Sequence, residues 1–414
     1  MSVATTSPTA VETSASATPS PTGTTVGIDA DAVAKRIAGI SRQGIGSSGV
    51  AVVTETGATV AGRGSGKALA PASTMKILTT LAALDTLGAD HTFSTKVVRE
   101  PGGRVVLVGG GDPLLTDKAS TSVAQPASLE ALARTTAAAL KASGVKKVSL
   151  GYDDSLFTGP DFNPAWTKKW HTFLARVSPL TVGEGLYNPW QADQKPARTA
   201  ADAFAQRLEA RGITVTKVAP ATASDAATEL ASVQSAPLST IVARTLRLSD
   251  NHAAEVLARH VAIAAGEEPS FTGATSAVKA WLVAHDLWDD GMRLVDGSGL
   301  SSRSRVTPSV LARAVALSLD TESLASVAAS LPVAGKSGTL KDRFNDASER
   351  IGRGNVHAKT GTLPGIGALA GYLTTQDGTR LVFAVMANDG VGQTTTQNFL
   401  DRTAAALVRC GCAA

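Results

Sequence analysis

Apolar positions recur at helical spacing over Asp29–Ile40 (Val33, Ile37, Ile40) and over the run that follows Ser73 (Ile77, Leu78, Leu81, Leu84, Leu87). The same period marks Leu129–Lys141, Ala200–Arg211, Ala236–Leu248, Glu255–Ala265 and a closing segment, Gln397–Arg409, so each is predicted to be a helix. Alternating and β-branched runs predict a hairpin over Gly49–Val60, turning at Glu55-Thr56-Gly57, and strands at Thr92–Val98, Arg104–Val108 and Val145–Leu150. Three further runs, Lys359–Leu363, Gly365–Thr374 and Arg380–Asn388, predict adjacent antiparallel strands joined by short turns. Between Gly151 and Arg198 the periodicity lapses into a stretch rich in Trp, Pro and Asp. A span of that length inside a compact domain points to function or to an ordered wrap against a neighbouring domain.

Three short motifs sit at informative places in this pattern. Ser73-Thr74-Met75-Lys76 opens a helix, Ser249-Asp250-Asn251 opens another, and Lys359-Thr360-Gly361-Thr362 falls in a run that reads as an edge strand. A serine at a helix start lies at the positive end of the helix dipole, where backbone N–H groups are unpaired. A lysine three residues on shares its face, within reach of the hydroxyl. Singly, each motif is weak. Ser-x-x-Lys recurs at Ser143 (with Lys146) and Ser276 (with Lys279), and Lys-[Ser/Thr]-Gly recurs at Lys336-Ser337-Gly338. Context chooses among the copies. Ser143 reads as the end of a helix, Ser276 as a surface position inside one, and Lys336 lacks the strand pattern that follows Lys359. In this chain order the three selected motifs suit acyl transfer, with a serine attacking a carbonyl whose owner also bears a carboxylate.

Ser73 and Ser249 are separated by more than 170 residues, yet that chemistry requires them to be neighbours. The simplest arrangement is a discontinuous catalytic domain, residues 26–97 and 226–414, interrupted by an inserted domain, residues 98–225. The run Gly109-Gly110-Gly111-Asp112-Pro113 reads as a tight loop, because it lacks the Lys-[Ser/Thr] and following helix of a phosphate loop.

At 414 residues the chain has room for two domains and a substantial core. Its net charge of +4 comes from scattered basic residues, which argues against a nucleic-acid partner. Residues 1–25 are dominated by Ser, Thr, Pro and Ala and are expected to form a disordered leader, the composition also of a tether joining a membrane anchor, absent from this sequence, to a catalytic domain that would then associate peripherally with the membrane. No signal-peptide core and no 18-residue apolar run is present, so extracytoplasmic work would require an export element that was removed or lies upstream. Cys410 and Cys412, one residue apart near the C-terminus, read as tail residues that could pair with each other. The six histidines are dispersed and no metal site or Gly-x-Ser-x-Gly is present.

The combination of motifs resembles the low-molecular-mass class C penicillin-binding proteins, the D-alanyl-D-alanine carboxypeptidase/endopeptidase family. Leu107-Val108-Gly109-Gly110-Gly111-Asp112-Pro113 resembles that family's inserted-domain signature. Ser249 to Arg259 resembles its second-motif helix, Asp296-Gly297-Ser298-Gly299-Leu300-Ser301 through Pro308 another of its stretches, and His357 to Leu363 its third motif. The resemblance covers residue 26 to the end. It departs in a shorter span between the first two motifs and in Lys336-Ser337-Gly338-Thr339-Leu340, where members carry a Gly-Thr-Leu turn without the lysine.

The resemblance implies an α/β penicillin-binding-protein/β-lactamase-like fold: an antiparallel sheet flanked by helices, a helical subdomain and an inserted α/β domain, without cofactor or metal. It implies a D,D-peptidase of peptidoglycan stem peptides, acylated by β-lactams and acting outside the cytoplasm. Residue chemistry and resemblance agree on Ser73 as nucleophile, Lys76 as its base (its pKa lowered if buried among cations), Ser249 as proton relay and Asn251 as holder of Lys76 and a substrate amide. Lys359, Thr360 and Thr362 would receive the substrate carboxylate, and Gly361 would leave room for substrate backbone. The N–H groups of Ser73 and Thr362 would form the oxyanion hole. Asp154 sits where members bring an inserted-domain acid toward the substrate's side-chain amine; a turn aspartate is the competing reading. Two alternatives remain at this point. One is a β-lactamase, for which Glu184-Gly185-Leu186-Tyr187-Asn188 has the class A spacing but precedes Ser249. The other is a non-catalytic cell-wall-binding protein.

Overall fold

The computed structural model describes residues 27–119, 127–168, 170, 174–188 and 191–413; the expected leader lies outside them. A five-stranded antiparallel sheet is ordered Val356–Leu363, Ile366–Thr374, Arg380–Asn388, Ser47–Val53, Thr59–Arg63. The N-terminal hairpin therefore pairs with the last strand, Val50 opposite Val385, and Val356–Leu363 is an edge strand as expected.

Strand alternation assigns the two faces of this sheet. Val50, Val52, Leu369, Leu373, Phe383 and Val385 pack on helices Ala30–Ala38 and Gln393–Val408. The opposite face carries Ala51, Ala368, Ala370, Ala384 and Met386. Short side chains there let the helices Met75–Leu87 and Pro308–Asp320 come close. Helix Met75–Leu87 was expected to bury one stripe. Instead every residue from Met75 to Leu84 is buried, because helices Leu238–Leu248, Asn251–Ala264 and Phe271–Ala284 complete the shell around it. Pro308–Asp320, begun by a Thr307 cap and a proline in its first turn, had no sequence expectation.

A second five-stranded sheet is ordered Thr214–Pro220, Lys147–Asp153, Val105–Val108, Ser94–Arg99, Thr228–Gln234, with two parallel pairs. Helices Leu129–Ala142 and Pro196–Glu209 cover it through Leu132, Leu140, Phe204 and Leu208. The glycine run closes a tight loop, with Gly109 N–H donating to Asp153 O and Gly111 N–H to Pro179 O. The stretch from Gly151 onward holds only short elements among its described residues until the helix at Pro196. It wraps the second-motif helix: Arg259 donates to the carbonyls of Thr158 and Pro160 at 2.7 and 3.0 Å.

Ser143 caps its helix by donating back to Ala139 O and Leu140 O. Ser276 is exposed on Phe271–Ala284. Cys410 and Cys412 form a disulfide, and the Cys412 carbonyl accepts from Asp29 N–H at the start of the first helix. Among the described residues no helix is long and apolar enough to cross a membrane.

Candidate active site

Ser73 lies in a 3-10 turn, Ala72–Thr74, that runs directly into Met75–Leu87. The preceding segment is clamped by Asn388, whose side chain accepts from Ala70 N–H at 2.8 Å and donates to Ala70 O at 3.3 Å. Ala72 holds φ +45, a left-handed conformation costly for a side chain with a Cβ. Two glycines fit around it. A Cβ on Gly361 would meet Pro71 O at 2.6 Å, and one on Gly299 would meet Ala72 O at 1.8 Å. Gly361 thus makes room for the turn that carries Ser73.

Ser249 closes helix Leu238–Leu248 in the left-handed region, φ +61, and Asp250 caps the next helix by accepting from Ala253 N–H at 3.0 Å. This sharp junction turns the Ser249 hydroxyl and Asn251 toward Lys76 and Lys359. Lys76 Nζ stands 2.9 Å from Ser73 Oγ, 2.7 Å from Asn251 Oδ1 and 2.7 Å from the Ser298 carbonyl. Lys359 Nζ donates to Ser249 Oγ at 2.9 Å and to Thr360 O at 2.8 Å. Folding therefore brings together two hydrogen-bonded sets, Lys76 with Ser73 and Asn251 and Lys359 with Ser249, whose lysines are near enough for their charges to interact. Ser73 remains partly exposed while both lysines are fully buried.

Burial pushes Lys76 down to about 8, against the opposing pull of Glu255, Asp296 and Asp250. Of the expected causes, burial acts, while the charges acting on Lys76 are acidic rather than cationic. Lys359 is lowered well below the usual lysine range, first by burial and then by the charge of Lys76.

Ala358 N–H donates to Pro332 O, and Val356 O accepts from Ala334 N–H. The main-chain groups of even-numbered residues in this strand therefore point away from its sheet partner. Strand alternation carries this to Thr360 and Thr362, whose N–H and C=O face the free edge. Their side chains lie on the opposite pleat face from Lys359 and Gly361. The Thr360 hydroxyl bonds the Thr339 hydroxyl at 2.7 Å, and Thr362 is exposed.

Several participants carried no expectation. Thr339 belongs to the stretch set aside as a decoy. Lys336-Ser337-Gly338 indeed forms a turn into the 3-10 segment Gly338–Leu340, but its next residue meets Thr360. The Ser298 carbonyl is a backbone atom and leaves no mark in residue type. Its loop is held by two buried carboxylates, Glu255 and Asp296.

Asp154 lies at the end of strand Lys147–Asp153, exposed on the lip of a cleft of about 510 Å³ that Tyr152, Arg176, Arg198 and Arg259 also line. Arg176 is paired with Asp161 and Arg198 with Asp202. Ser73 and its group do not line this cleft. Glu184 is ion-paired with Arg244.

Residues 30–193 and 188–408 match the D-Ala-D-Ala carboxypeptidase 3 (S13) family. A carboxypeptidase of Mycobacterium tuberculosis is 37% identical over 355 residues, covering 83% of this chain and 76% of that protein. Carboxypeptidase DacB of Mycolicibacterium smegmatis is 34% identical, covering 87% and 80%. Among solved structures, penicillin-binding protein 4 of Haemophilus influenzae superposes with a TM-score of 0.75 at 22% identity, covering 92% of this chain and 98% of that one. The fold expected from sequence is thus the fold observed, and the chain belongs to the D-Ala-D-Ala carboxypeptidase 3 (S13) family.

Proposed function

We propose that the chain is a serine D,D-peptidase that removes the terminal D-Ala of peptidoglycan stem peptides through an acyl-enzyme on Ser73. One observation carries this reading: Lys76 Nζ lies 2.9 Å from Ser73 Oγ while Asn251 Oδ1 and Ser298 O, both pure acceptors, engage it at 2.7 Å each. A neutral amine has two N–H donors and one lone pair. With both donors committed to carbonyl oxygens, the lone pair is left for the Ser73 hydroxyl.

In acylation, Ser73 Oγ forms a bond to the penultimate D-Ala carbonyl carbon as its proton passes to Lys76 Nζ. The oxyanion is stabilised by the N–H groups of Ser73 and Thr362, each such donor being worth about 3 kcal/mol. Collapse breaks the C–N bond, and the departing D-Ala amine takes a proton through Ser249. Water then hydrolyses the Ser73 ester. Lys359 has three donors and, among the described residues, uses two, on Ser249 and Thr360 O; the third can meet the terminal carboxylate, beside the Thr360–Thr339 hydroxyl pair and Thr362. The free edge at Thr360 and Thr362 lets the stem peptide add as an extended strand. We read the unit carrying the second sheet as an inserted domain that brings Asp154 to the substrate's side-chain amine, and the place of action as extracytoplasmic, where peptidoglycan is.

Fluorescent penicillin labelling, with mass spectrometry of D-Ala release from muropeptides, tests the reading. The parent should label and release D-Ala, and Ser73→Ala should do neither. Equal labelling of Ser73→Ala would end the assignment.

A further inference from the structure

The loop Asp296–Ser301 has an unusual internal bonding pattern. Two buried carboxylates absorb its N–H groups. Glu255 Oε2 accepts from Gly297 N–H at 3.1 Å and Glu255 Oε1 from Ser298 N–H at 2.8 Å. Asp296 Oδ1 accepts from Gly299 N–H at 3.0 Å and Asp296 Oδ2 from Ser301 N–H at 2.6 Å. With its donors drawn to one side, the loop turns two carbonyls the other way, onto the nucleophile helix. Gly297 O accepts from Thr79 Oγ1 at 2.6 Å, and Ser298 O accepts from Lys76 Nζ at 2.7 Å. Asp296 is itself held from outside the loop. Trp166, in the long irregular stretch, donates its indole N–H to Asp296 Oδ2 at 2.8 Å. Glu255, Asp296 and Ser298 are at most 1% exposed and Trp166 6%.

Resting on the D,D-peptidase reading, we propose that Glu255, Asp296, Trp166 and Thr79 are positioning residues that hold the Ser298 carbonyl against Lys76 and so aim the Lys76 lone pair at the Ser73 hydroxyl. None of the four touches substrate; each acts through the loop. Without Ser298 O fixed in place, one Lys76 N–H is released, the amine rotates, and its lone pair is no longer confined to the Ser73 direction. A base misaligned by a fraction of an ångström loses much of its advantage. The arrangement also makes the irregular stretch part of the catalytic support, since Trp166 reaches from it to the loop on which Lys76 depends.

Electrostatics give this loop a signature that packing alone lacks. The charged groups facing Lys76 are Glu255, Asp296 and Asp250, which favour its charged form, and Lys359, with which it repels mutually. Removing the Glu255 charge therefore lowers the pH at which Lys76 becomes a base. Trp166→Phe removes a donor that favours ionised Asp296, so it weakens a charge facing Lys76 as well as the loop, whereas Thr79→Val leaves the lysine's charged neighbours in place.

The test measures the acylation rate of the full chain by fluorescent penicillin across pH in the parent, Glu255→Gln, Trp166→Phe, Thr79→Val and Thr79→Ser. An unlabelled parent would sink the peptidase reading itself. With a labelled parent, Glu255→Gln should acylate about tenfold slower or worse on the plateau, with its acid limb displaced to lower pH. Trp166→Phe should slow acylation with any limb shift toward lower pH, Thr79→Val should slow acylation without moving the limb, and Thr79→Ser, which keeps the hydroxyl, should retain the parent rate. If Glu255→Gln fails to fold, the Thr79→Val and Thr79→Ser pair decides. Folded variants that acylate within about twofold of the parent, or Thr79→Ser as slow as Thr79→Val, would overturn the proposal.

Discussion

Lys359 donates to the Ser249 hydroxyl at 2.9 Å, across 110 residues of chain, so each serine of the site has its own buried lysine: Lys76 on Ser73 and Lys359 on Ser249. The two cations divide the work. Lys76 has every bonding position committed, whereas among the described residues Lys359 uses two of its three donors. Lys359→Met should therefore cost roughly a hundredfold or more in kcat/KM for substrates ending in a free carboxylate, the scale expected when one partner of a desolvated charge pair is removed. The same substrates amidated at the terminus should lose far less. Equal losses for both substrate sets would show that Lys359 does not meet the carboxylate.

The pH profile follows from the two buried amines. Lys76 must be neutral to take the Ser73 proton, and its pKa in the folded protein is about 8, below 10.5 for a free lysine. For substrates amidated at the terminus, kcat/KM should climb with pH up to about 8 and then level. Lys359 must be charged to hold a carboxylate, and its pKa is also lowered. Carboxylate substrates should therefore show a rise in KM on the alkaline side that amidated substrates lack. Stability has the corresponding sign. Between about pH 8 and 10.5 the unfolded chain carries more protons at residue 76 than the folded one, so the Lys76 contribution destabilises fully below pH 8 and fades as pH rises toward 10.5. An acid limb absent near 8 would remove Lys76 from the role of base.

Gly361→Ala should damage the site through the backbone. Its new Cβ would stand 2.6 Å from Pro71 O and 3.2 Å from Ala72 Cβ. The turn carrying Ser73 must then retreat, at a cost on the order of 1–3 kcal/mol. A lowered melting temperature with slowed penicillin acylation is expected. Unchanged acylation would mean that the strand and the turn can separate without moving Ser73.

Much of the site could be read from residue types because its side chains are polar groups at helix junctions and on an edge strand, where the apolar pattern makes them stand out. Ser73, Ser249 and Lys359 each stand at such a place, and their chain order identified the chemistry. The pairing of Ser47–Val53 with Arg380–Asn388 was not readable, since a strand's partner depends on tertiary packing that alternation does not encode. The buried character of Met75–Leu87 was hidden for a related reason: Lys76, Thr79 and Thr80 are polar, and what makes them interior residues is the bonding that neighbouring chain segments supply. Thr339 was passed over because its surroundings mimic the third motif, and the Ser298 carbonyl because any residue has one.

Asp154 offers a test of specificity separate from catalysis. It lies on the lip of the 510 Å³ cleft, and the arginines Arg176 and Arg198 that share this cleft are already paired with Asp161 and Asp202. Among the described residues no cation is within ion-pair distance of Asp154, so its carboxylate is available to an incoming amine. Asp154 takes part in none of the described hydrogen bonds of the Ser73 group. Asp154→Asn should therefore raise KM for stem peptides with a free side-chain amine by about 5- to 30-fold, the range of a partly exposed charge-assisted contact of 1–2 kcal/mol. Penicillin acylation, which involves no such amine, should stay at the parent rate, and acetylating the substrate amine should erase the difference between parent and variant. A variant that handles free-amine and acetylated peptides as the parent does would return Asp154 to an ordinary turn residue at the end of its strand.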